Sequence, residues 1–319
     1  MRPRMLATGI ALVAACSLTA VSWSSASNAS TPTSPSPDAT PACSHPHKSG
    51  QFSQSFNFDS SSRTYQLYVP AAYKGTTRVP LVFDFHGYGS DAVQQMNYGD
   101  FRPQADKSDF LIVAPDGQTS AGGGRHFSFG NEPGLQNDLS MVKSLMTHLE
   151  STLCVDTARI YATGMSDGGA MTSILACSAN DKFAAFAPVA VIVYCGGNGT
   201  RPVAIAAFSG TADPVVPFNG GKVHCCGGSV VASAPGSMAS WAKYDHCGSK
   251  FTDTRLGTQV RRRTWKGCRP TDAPVFYIID GGGHTWPGAF PVPRLGLTTQ
   301  QIDASAVIWK FFAAHKLAK

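Results

Sequence analysis

The sequence predicts an α/β fold built around a mainly parallel β-sheet. Short apolar runs typical of strands alternate with helix-like runs along most of the chain, a pattern typical of parallel strands joined by helices. A Gly-x-Ser-x-Gly sequence at residues 164–168 joins one strand-like run to a helix-like run. The 319 residues are 43% hydrophobic and only 14% charged, so a large core is expected and disorder is not.

The predicted strands are short runs that are either continuously apolar or alternate between apolar and polar residues. In chain order they cover residues 63–69, 81–85, 109–114, 159–163, 186–193, 203–208 and 275–279, and residues 254–264 are predicted to form a hairpin. The predicted helices cover residues 138–153, 170–177, 238–244 and 302–315. In the last helix the expected core face consists of Val307, Ile308, Phe311 and Phe312.

The first 42 residues are predicted to lie outside the folded domain. Residues 1–29 resemble an export signal, because Arg2 and Arg4 precede a short apolar run and then small residues suited to cleavage. The alternative is a lipoprotein signal ending at Cys16, whose lipid would then be the contact with a membrane. Residues 30–42 form a Ser/Thr/Pro-rich linker, and residues 43–319 form one domain.

Cysteine usage predicts an oxidising compartment. The chain has nine cysteines, and setting Cys16 aside leaves eight, which suits four disulfides. The sequence contains no C-x-x-C pair, so a zinc site is not expected. The predicted pairs are Cys154–Cys177 and Cys247–Cys268, with Cys195 joined to Cys225 or Cys226 and Cys43 joined to the other.

The net charge does not indicate a nucleic-acid partner. The formal value of +6 falls by two, to +4, when Arg2 and Arg4 are removed with the signal. The densest basic run, residues 261–263, is more simply explained as an exposed strand or turn than as a nucleic-acid patch.

Ser166 is the predicted nucleophile, because it lies on a sharp turn between a strand and a helix. A serine on such a turn has a strained backbone, and side chains at positions 164 and 168 would crowd the neighbouring strand and helix. The helix that begins there directs its free N–H groups at the reacting centre. The simpler alternative is a strand–helix turn that contains serine by chance.

A serine nucleophile needs a base and an acid that orients the base. Asp213 follows the predicted strand at 203–208, and His284 follows the predicted strand at 275–279 within a glycine-rich turn. Asp280 is a rival acid, but it lies on the same loop as His284. His86 is predicted to brace a loop rather than to act as a second base.

Two backbone N–H groups are predicted to bind the oxyanion. One belongs to Asp167, directly after the nucleophile, and the other to Tyr88, in the His-Gly-Tyr-Gly loop after the predicted strand at 81–85. Trp286 is predicted to wall the acyl or leaving-group pocket, with ordinary packing as the alternative. The loop at residues 286–291 would extend that aromatic wall. We expect no metal and no cofactor.

These residues resemble the secreted polyhydroxybutyrate depolymerase-like and feruloyl esterase-like branch of the α/β-hydrolases, which overlaps carbohydrate esterase family 1. The matching stretches are residues 62–70, 86–89, 161–169, 183–190, 210–217 and 281–288. The resemblance implies an α/β-hydrolase fold with Ser166, Asp213 and His284 as the triad. Tyr88 stands where the family often has cysteine, and the Cys225-Cys226 pair is unusual for it.

The leading hypothesis is a secreted, monomeric serine carboxylesterase that cleaves feruloyl or acetyl esters of plant polysaccharide through an acyl-enzyme. The runner-up is an extracellular depolymerase of a polyester such as polyhydroxybutyrate. A non-catalytic cell-surface binding protein is the alternative from another class. The intact Ser166, Asp213 and His284 argue against that last alternative.

Overall fold

A ten-stranded β-sheet dominates the fold, which we describe from a computed structural model. The structure describes residues 43–130, 132–196, 201–269 and 273–318. The predicted export signal, Cys16 and the predicted linker lie outside the described residues.

The described strands belong to this sheet and to two short ribbons. They are β1 (Gly50–Phe58), β2 (Ser61–Val69), β3 (Val79–Phe85), β4 (Leu111–Pro115), β5 (Gln118–Thr119), β6 (Arg125–His126), β7 (Val155–Met165), β8 (Ala185–Val189), β9 (Ala206–Gly210), β10 (Gly221–Lys222), β11 (Val230–Val231), β12 (Phe251–Arg255), β13 (Val260–Trp265) and β14 (Val275–Ile279). The helices are α1 (Ala92–Tyr98), α2 (Arg102–Ser108), α3 (Asp138–Thr152), α4 (Asp167–Ser178), α5 (Ala234–Tyr244), α6 (Ala304–Ala313) and a 3₁₀ turn (Pro293–Leu295).

The large sheet has the strand order β1-β2-β4-β3-β7-β8-β9-β14-β13-β12. The strands from β4 to β14 in that order pair in parallel. Antiparallel strands extend the sheet at both ends. This arrangement confirms the predicted α/β fold with a mainly parallel sheet.

Helices cover both faces of the sheet and create two apolar cores. Helices α3, α4 and α5 pack with Leu81, Phe83 and Phe85 of β3 in one core. Helices α1, α2 and α6 pack with Val82 in the other core. Neighbouring residues of β3 enter opposite cores because successive side chains of a strand point to opposite faces. All seven residues of β3 are buried, as expected for a strand covered on both sides.

Each predicted strand and helix overlaps an observed element of the predicted type. The predicted strand at 186–193 ends early, at Val189, because Ala190 has a φ of 67° that turns the chain. Strand β1 was not predicted, because its serine, glutamine and asparagine residues have little strand propensity. Helices α1 and α2 were not predicted either, because each has only seven residues.

The disulfide predictions are correct for one pair and wrong for the others. The Cys247–Cys268 disulfide confirms its prediction, since a hairpin lies between the two cysteines. The remaining observed pairs are Cys43–Cys154, Cys177–Cys195 and Cys225–Cys226. Thus Cys154 and Cys177 are not joined to each other, and neither Cys43 nor Cys195 is joined to the vicinal pair.

The errors arise because contacts between segments distant in sequence decide which thiols meet. The Tyr73 hydroxyl donates to the His45 carbonyl at 2.9 Å and accepts from the Cys154 N–H at 2.8 Å, so the first described segment lies beside Cys154. Likewise the Val193 N–H donates to Ser173 Oγ of α4 at 3.1 Å. This bond places Cys195, two residues later, near Cys177 in the last turn of α4.

Among the described helices, none combines the length and the apolar composition needed to cross a bilayer.

Candidate active site

Ser166 lies at the end of β7 in a strained backbone conformation, with φ 59° and ψ −116°. The close approach of the surrounding backbone explains the flanking glycines. A Cβ added at Gly164 would lie 2.6 Å from the Phe85 carbonyl oxygen, and one added at Gly168 would overlap that same oxygen. The Ser166 side chain makes no capping hydrogen bond to helix α4, so its hydroxyl remains available. Such strain at a non-glycine residue is typical of functional sites.

Asp213 and His284 come together because β9 and β14 are parallel neighbours. Gly210 lies opposite Ile279 in the register, so the loops that follow both strands leave the same edge of the sheet. The Thr211 N–H donates to the Ile279 carbonyl at 2.9 Å and ties the two loops together. The structure thereby places the predicted acid beside the predicted base.

The contact between these two side chains is short and buried. His284 Nδ1 lies 2.7 Å from Asp213 Oδ2, and both side chains are almost inaccessible to solvent. Asp213 Oδ1 accepts from the N–H groups of Val215 and Val216, each at 2.8 Å. A carboxylate held this way accepts the Nδ1 proton of the imidazole, and Nε2 is then free to accept a proton.

Ser166 and His284 line the same cleft, which has a volume of about 480 Å³. Aromatic, amide, apolar and small residues make up most of the remaining wall. These are Gly87, Tyr88, Gly89, Ser90, Gln94, Gln95, Asn97, Tyr98, Met165, Phe290, Val292, Arg294 and Leu295. The cleft therefore offers the predicted nucleophile and base to one bound molecule.

The rival acid, Asp280, is engaged elsewhere. Its carboxylate pairs with Arg261, with an Nη2 to Oδ1 distance of 2.6 Å, and with Arg255 at 3.3 Å. The hydrogen bond from Arg261 lowers the pKa of Asp280 below its ordinary value. Asp280 thus pairs with arginines of β12 and β13 at one end of the sheet, while Asp213 contacts His284.

The loop from His86 to Gly89 packs directly on Ser166. A Cβ added at Gly87 would lie 3.3 Å from Ser166 Cβ. His86 is fully buried, and its Nε2 accepts from the Gly117 N–H at 2.9 Å while Nδ1 lies 2.7 Å from the Gly87 carbonyl. Burial lowers the pKa of His86, as expected for a neutral ring that accepts at Nε2. These contacts fit the bracing role predicted for His86.

The two residues predicted to supply the oxyanion donors belong to segments that border Ser166. Tyr88 lines the cleft, and its ring stacks on His126 with centroids 5.5 Å apart. Asp167 is the first residue of α4, so its backbone N–H is among those left without a partner inside the helix. Tyr88 therefore shares the cleft with Ser166, Asp167 directly follows it, and the oxyanion role of their N–H groups stays a prediction.

The Asp167 side chain has a contact that the sequence analysis missed. Its Oδ2 accepts from the Phe127 N–H at 2.8 Å, which ties the loop carrying His126 to the start of α4. Burial raises the pKa of Asp167 to about 6, against the opposing effects of that hydrogen bond and of the nearby His126. No motif indicates this contact, because the two residues are 40 positions apart.

The position of Trp286 does not support its predicted role in the pocket wall. Its side chain is 1% exposed, its indole N–H donates to Ser305 Oγ at 3.0 Å, and its ring packs against Phe101. The packing alternative describes it better. Phe290, four residues later, does line the cleft and meets the Tyr98 ring edge-on at 5.0 Å.

Metal-binding side chains are not grouped in the parts of the chain that the structure describes. There, no three His, Cys, Asp or Glu side chains cluster in a way that could hold an ion.

A wide parallel sheet that carries a strained serine at a strand–helix turn defines the α/β-hydrolase class. A model of the prolyl oligopeptidase family (Peptidase_S9) matches residues 99–219. Feruloyl esterase C of Emericella nidulans is 31% identical over 261 residues, covering 80% of this chain and 85% of that protein. A probable feruloyl esterase C of Aspergillus niger is 32% identical over 270 residues with the same coverages. The chain belongs to the family of these feruloyl esterases, which confirms the resemblance inferred from its motifs.

The similarity covers only part of one relative and extends to the fold of one solved structure. The chain matches only 41% of the length of feruloyl esterase B from Piromyces equi, at 28% identity over 223 residues. The acetyl xylan esterase from Aspergillus awamori shares the fold, with a TM-score of 0.57, 14% identity, and coverage of 83% of this chain and 99% of that one.

Proposed function

We propose that this protein is a serine carboxylesterase that cleaves feruloyl or acetyl esters of plant polysaccharide. The observation that carries the proposal is the buried contact between Asp213 and His284, with His284 and Ser166 lining one cleft. Membership of the feruloyl esterase family supports the same reaction.

The proposed reaction proceeds through an acyl-enzyme. Ser166 Oγ attacks the ester carbonyl while His284 Nε2 takes its proton, and Asp213 stabilises the resulting imidazolium. The N–H groups of Asp167 and Tyr88 bind the negative charge that develops on the carbonyl oxygen. His284 then protonates the departing alcohol, and water hydrolyses the acyl-enzyme with His284 again acting as base.

The walls of the cleft suit an acyl group with an aromatic ring. Tyr98 and Phe290 meet edge-on, and Tyr88 adds a third ring. Aromatic pairs gain about 0.5–1.5 kcal/mol beyond the burial of their area. Feruloyl esters are therefore the first proposed substrates, with acetyl esters as the second.

Export from the cytoplasm is part of the proposal. Four disulfides within the described residues favour an oxidising compartment. Mass spectrometry of the mature N-terminus distinguishes simple secretion from lipidation. An acyl-modified Cys16 would establish an anchored lipoprotein, while a terminus near Ser27 or Ser30 would establish secretion.

A substrate panel tests the proposed activity. Purified protein is assayed on methyl ferulate, acetylated xylan and polyhydroxybutyrate particles, with Ser166→Ala as the control for contaminating esterases. We expect Ser166-dependent hydrolysis of methyl ferulate or acetylated xylan. Rapid clearing of the polyester with negligible activity on the other two would favour the depolymerase instead, and no Ser166-dependent hydrolysis of any ester would refute the enzyme.

A further inference from the structure

The cleft contains a positive charge that the proposed chemistry does not use. Among its lining residues Arg294 is the one with a permanent charge, and neither aspartate nor glutamate is present. Seven other arginines of the described chain pair with an aspartate, namely Arg63, Arg102, Arg125, Arg159, Arg255, Arg261 and Arg263. Arg294 is exposed, and within the described residues its side chain forms none of the ion pairs that these other arginines make.

The backbone holds Arg294 in a fixed position relative to His284. The next residue, Leu295, accepts from the His284 N–H at 2.7 Å, and Leu297 accepts from the Gly283 N–H at 2.9 Å. A Cβ at Gly283 would overlap the Leu295 carbonyl oxygen, so only glycine permits this approach of the two segments. Proline at position 293 further restricts the turn that carries Arg294. The turn that carries Arg294 is thus held beside the His284 loop, and Arg294 lines the same cleft as His284.

In the proposed mechanism the alcohol part of the ester lies next to His284, and so near the turn that carries Arg294. His284 must reach the leaving oxygen to protonate it, so groups attached to that oxygen extend past the histidine. A guanidinium there binds a carboxylate through two parallel hydrogen bonds better than it binds a neutral hydroxyl. With an uncharged substrate, water alone solvates this exposed cation.

We propose that Arg294 selects esters whose alcohol part carries a carboxylate, an inference that rests on the proposed function. Two sources supply this chemistry. One is an acidic polysaccharide in which the esterified hydroxyl lies on or beside a uronic acid. The other is a short hydroxy-acid oligomer, in which the alcohol part ends in a free carboxylate.

A matched pair of small esters tests the charge preference. One is the feruloyl ester of 4-hydroxybutyrate, and the other is the feruloyl ester of 4-hydroxybutanamide, which has the same shape without the charge. We expect wild-type kcat/KM to be about 1.5-fold to fivefold higher for the carboxylate ester at low salt, the range for an exposed ion pair. The ratio should approach one as salt rises, because exposed charges are screened.

Variants then assign the preference to Arg294. In Arg294→Gln the ratio of the two kcat/KM values should fall to about one, and in Arg294→Lys it should be intermediate. Arg159→Gln is the control for net charge, because Arg159 pairs with Asp156 outside the cleft, and it should keep the wild-type ratio. A wild-type ratio near one, or an unchanged ratio in Arg294→Gln, would overturn the inference and leave the esterase proposal intact. If the wild type hydrolyses neither feruloyl ester, the acetyl esters of the same two alcohols replace them, and failure on all four esters would overturn both proposals.

Natural substrates identify the source of the carboxylate. Acetylated glucuronoxylan is compared with its carboxyl-reduced form, and the 3-hydroxybutyrate dimer is compared with its methyl ester. An Arg294-dependent preference in the first comparison supports a uronic acid, and one in the second supports a hydroxy-acid end. Absence of a preference in both would refute selection of a natural carboxylate.

Discussion

Replacement of Asp213 by asparagine tests the proposed triad most directly. Asp213 Oδ1 accepts two backbone N–H groups at 2.8 Å, from Val215 and Val216, while Oδ2 accepts from His284 at 2.7 Å. In Asp213→Asn the two N–H groups retain the amide oxygen at the Oδ1 position. The amide nitrogen must therefore face His284.

This substitution is expected to place the imidazole proton on the wrong nitrogen. An amide NH₂ only donates, so His284 Nδ1 must accept and the ring proton moves to Nε2. A protonated Nε2 cannot take the proton of Ser166. The equivalent change in chymotrypsin-like enzymes lowers kcat about 10⁴-fold, and four factors of ten correspond to about 5 kcal/mol of activation free energy.

Hydrolysis of a chromogenic short-chain ester measures the effect, and thermal unfolding checks that the variant folds. Asp280→Asn is the matched control, because it makes the same chemical change in a partly exposed carboxylate that pairs with Arg261. Such pairs contribute about 0–1 kcal/mol to stability, and we expect less than about a threefold change in kcat. Retention of more than a tenth of wild-type kcat in Asp213→Asn, or a larger loss in Asp280→Asn, would refute the assignment of the acid.

The remaining predictions concern the nucleophile, the disulfides and pH. Ser166→Ala should lower kcat by about 10⁶-fold, the scale known for a serine hydrolase that loses its nucleophile, and should abolish labelling by a fluorophosphonate. Labelling that persists in this variant would identify another nucleophile. Removal of the Cys43–Cys154 disulfide by double alanine substitution should lower the free energy of unfolding by about 2–5 kcal/mol, because it closes a loop of 111 residues. Removal of the Cys225–Cys226 disulfide, which closes almost no loop, should cost far less in the same denaturant titration, and equal losses would contradict this reasoning. Burial raises the pKa of Asp167 from 3.8 to about 6, so the folded state binds this proton more tightly and stability falls as pH rises from 4 to 6. The effect is up to about 3 kcal/mol, and Asp167→Asn should make the decline in Tm over this range shallower. An unchanged slope would show that Asp167 does not titrate in this way.

Ser166, Asp213 and His284 were found from sequence because each obeys a local rule. Ser166 lies within a glycine-flanked strand–helix turn, and Asp213 and His284 each follow a predicted strand within a few residues. The strands β9 and β14 proved to be parallel neighbours, so their following loops meet at one edge of the sheet. Local sequence thus predicted where each residue lies along the chain, and the alternation of strands and helices predicted that they would converge.

The predictions that failed required knowledge of which distant segments touch. Trp286 follows the His284 loop, yet its ring enters the core beside Phe101 because Ser305 of α6 supplies a partner for its indole N–H. Likewise the partner of Cys154 is Cys43, 111 positions away. Neither contact leaves a periodic or motif signal, since both depend on how separate elements pack.

The sequence by itself determined the α/β class, the order of the elements and the turn that carries Ser166, because these depend on hydrophobic periodicity and on glycine spacing. Only the tertiary structure decided which acid meets His284, which cysteines pair and which residues wall the cleft. These contacts join side chains far apart in sequence, and they form only when whole elements pack against each other. Arg294 is the clearest case, because nothing around it in the sequence indicates that its neighbour Leu295 bonds to the backbone of His284.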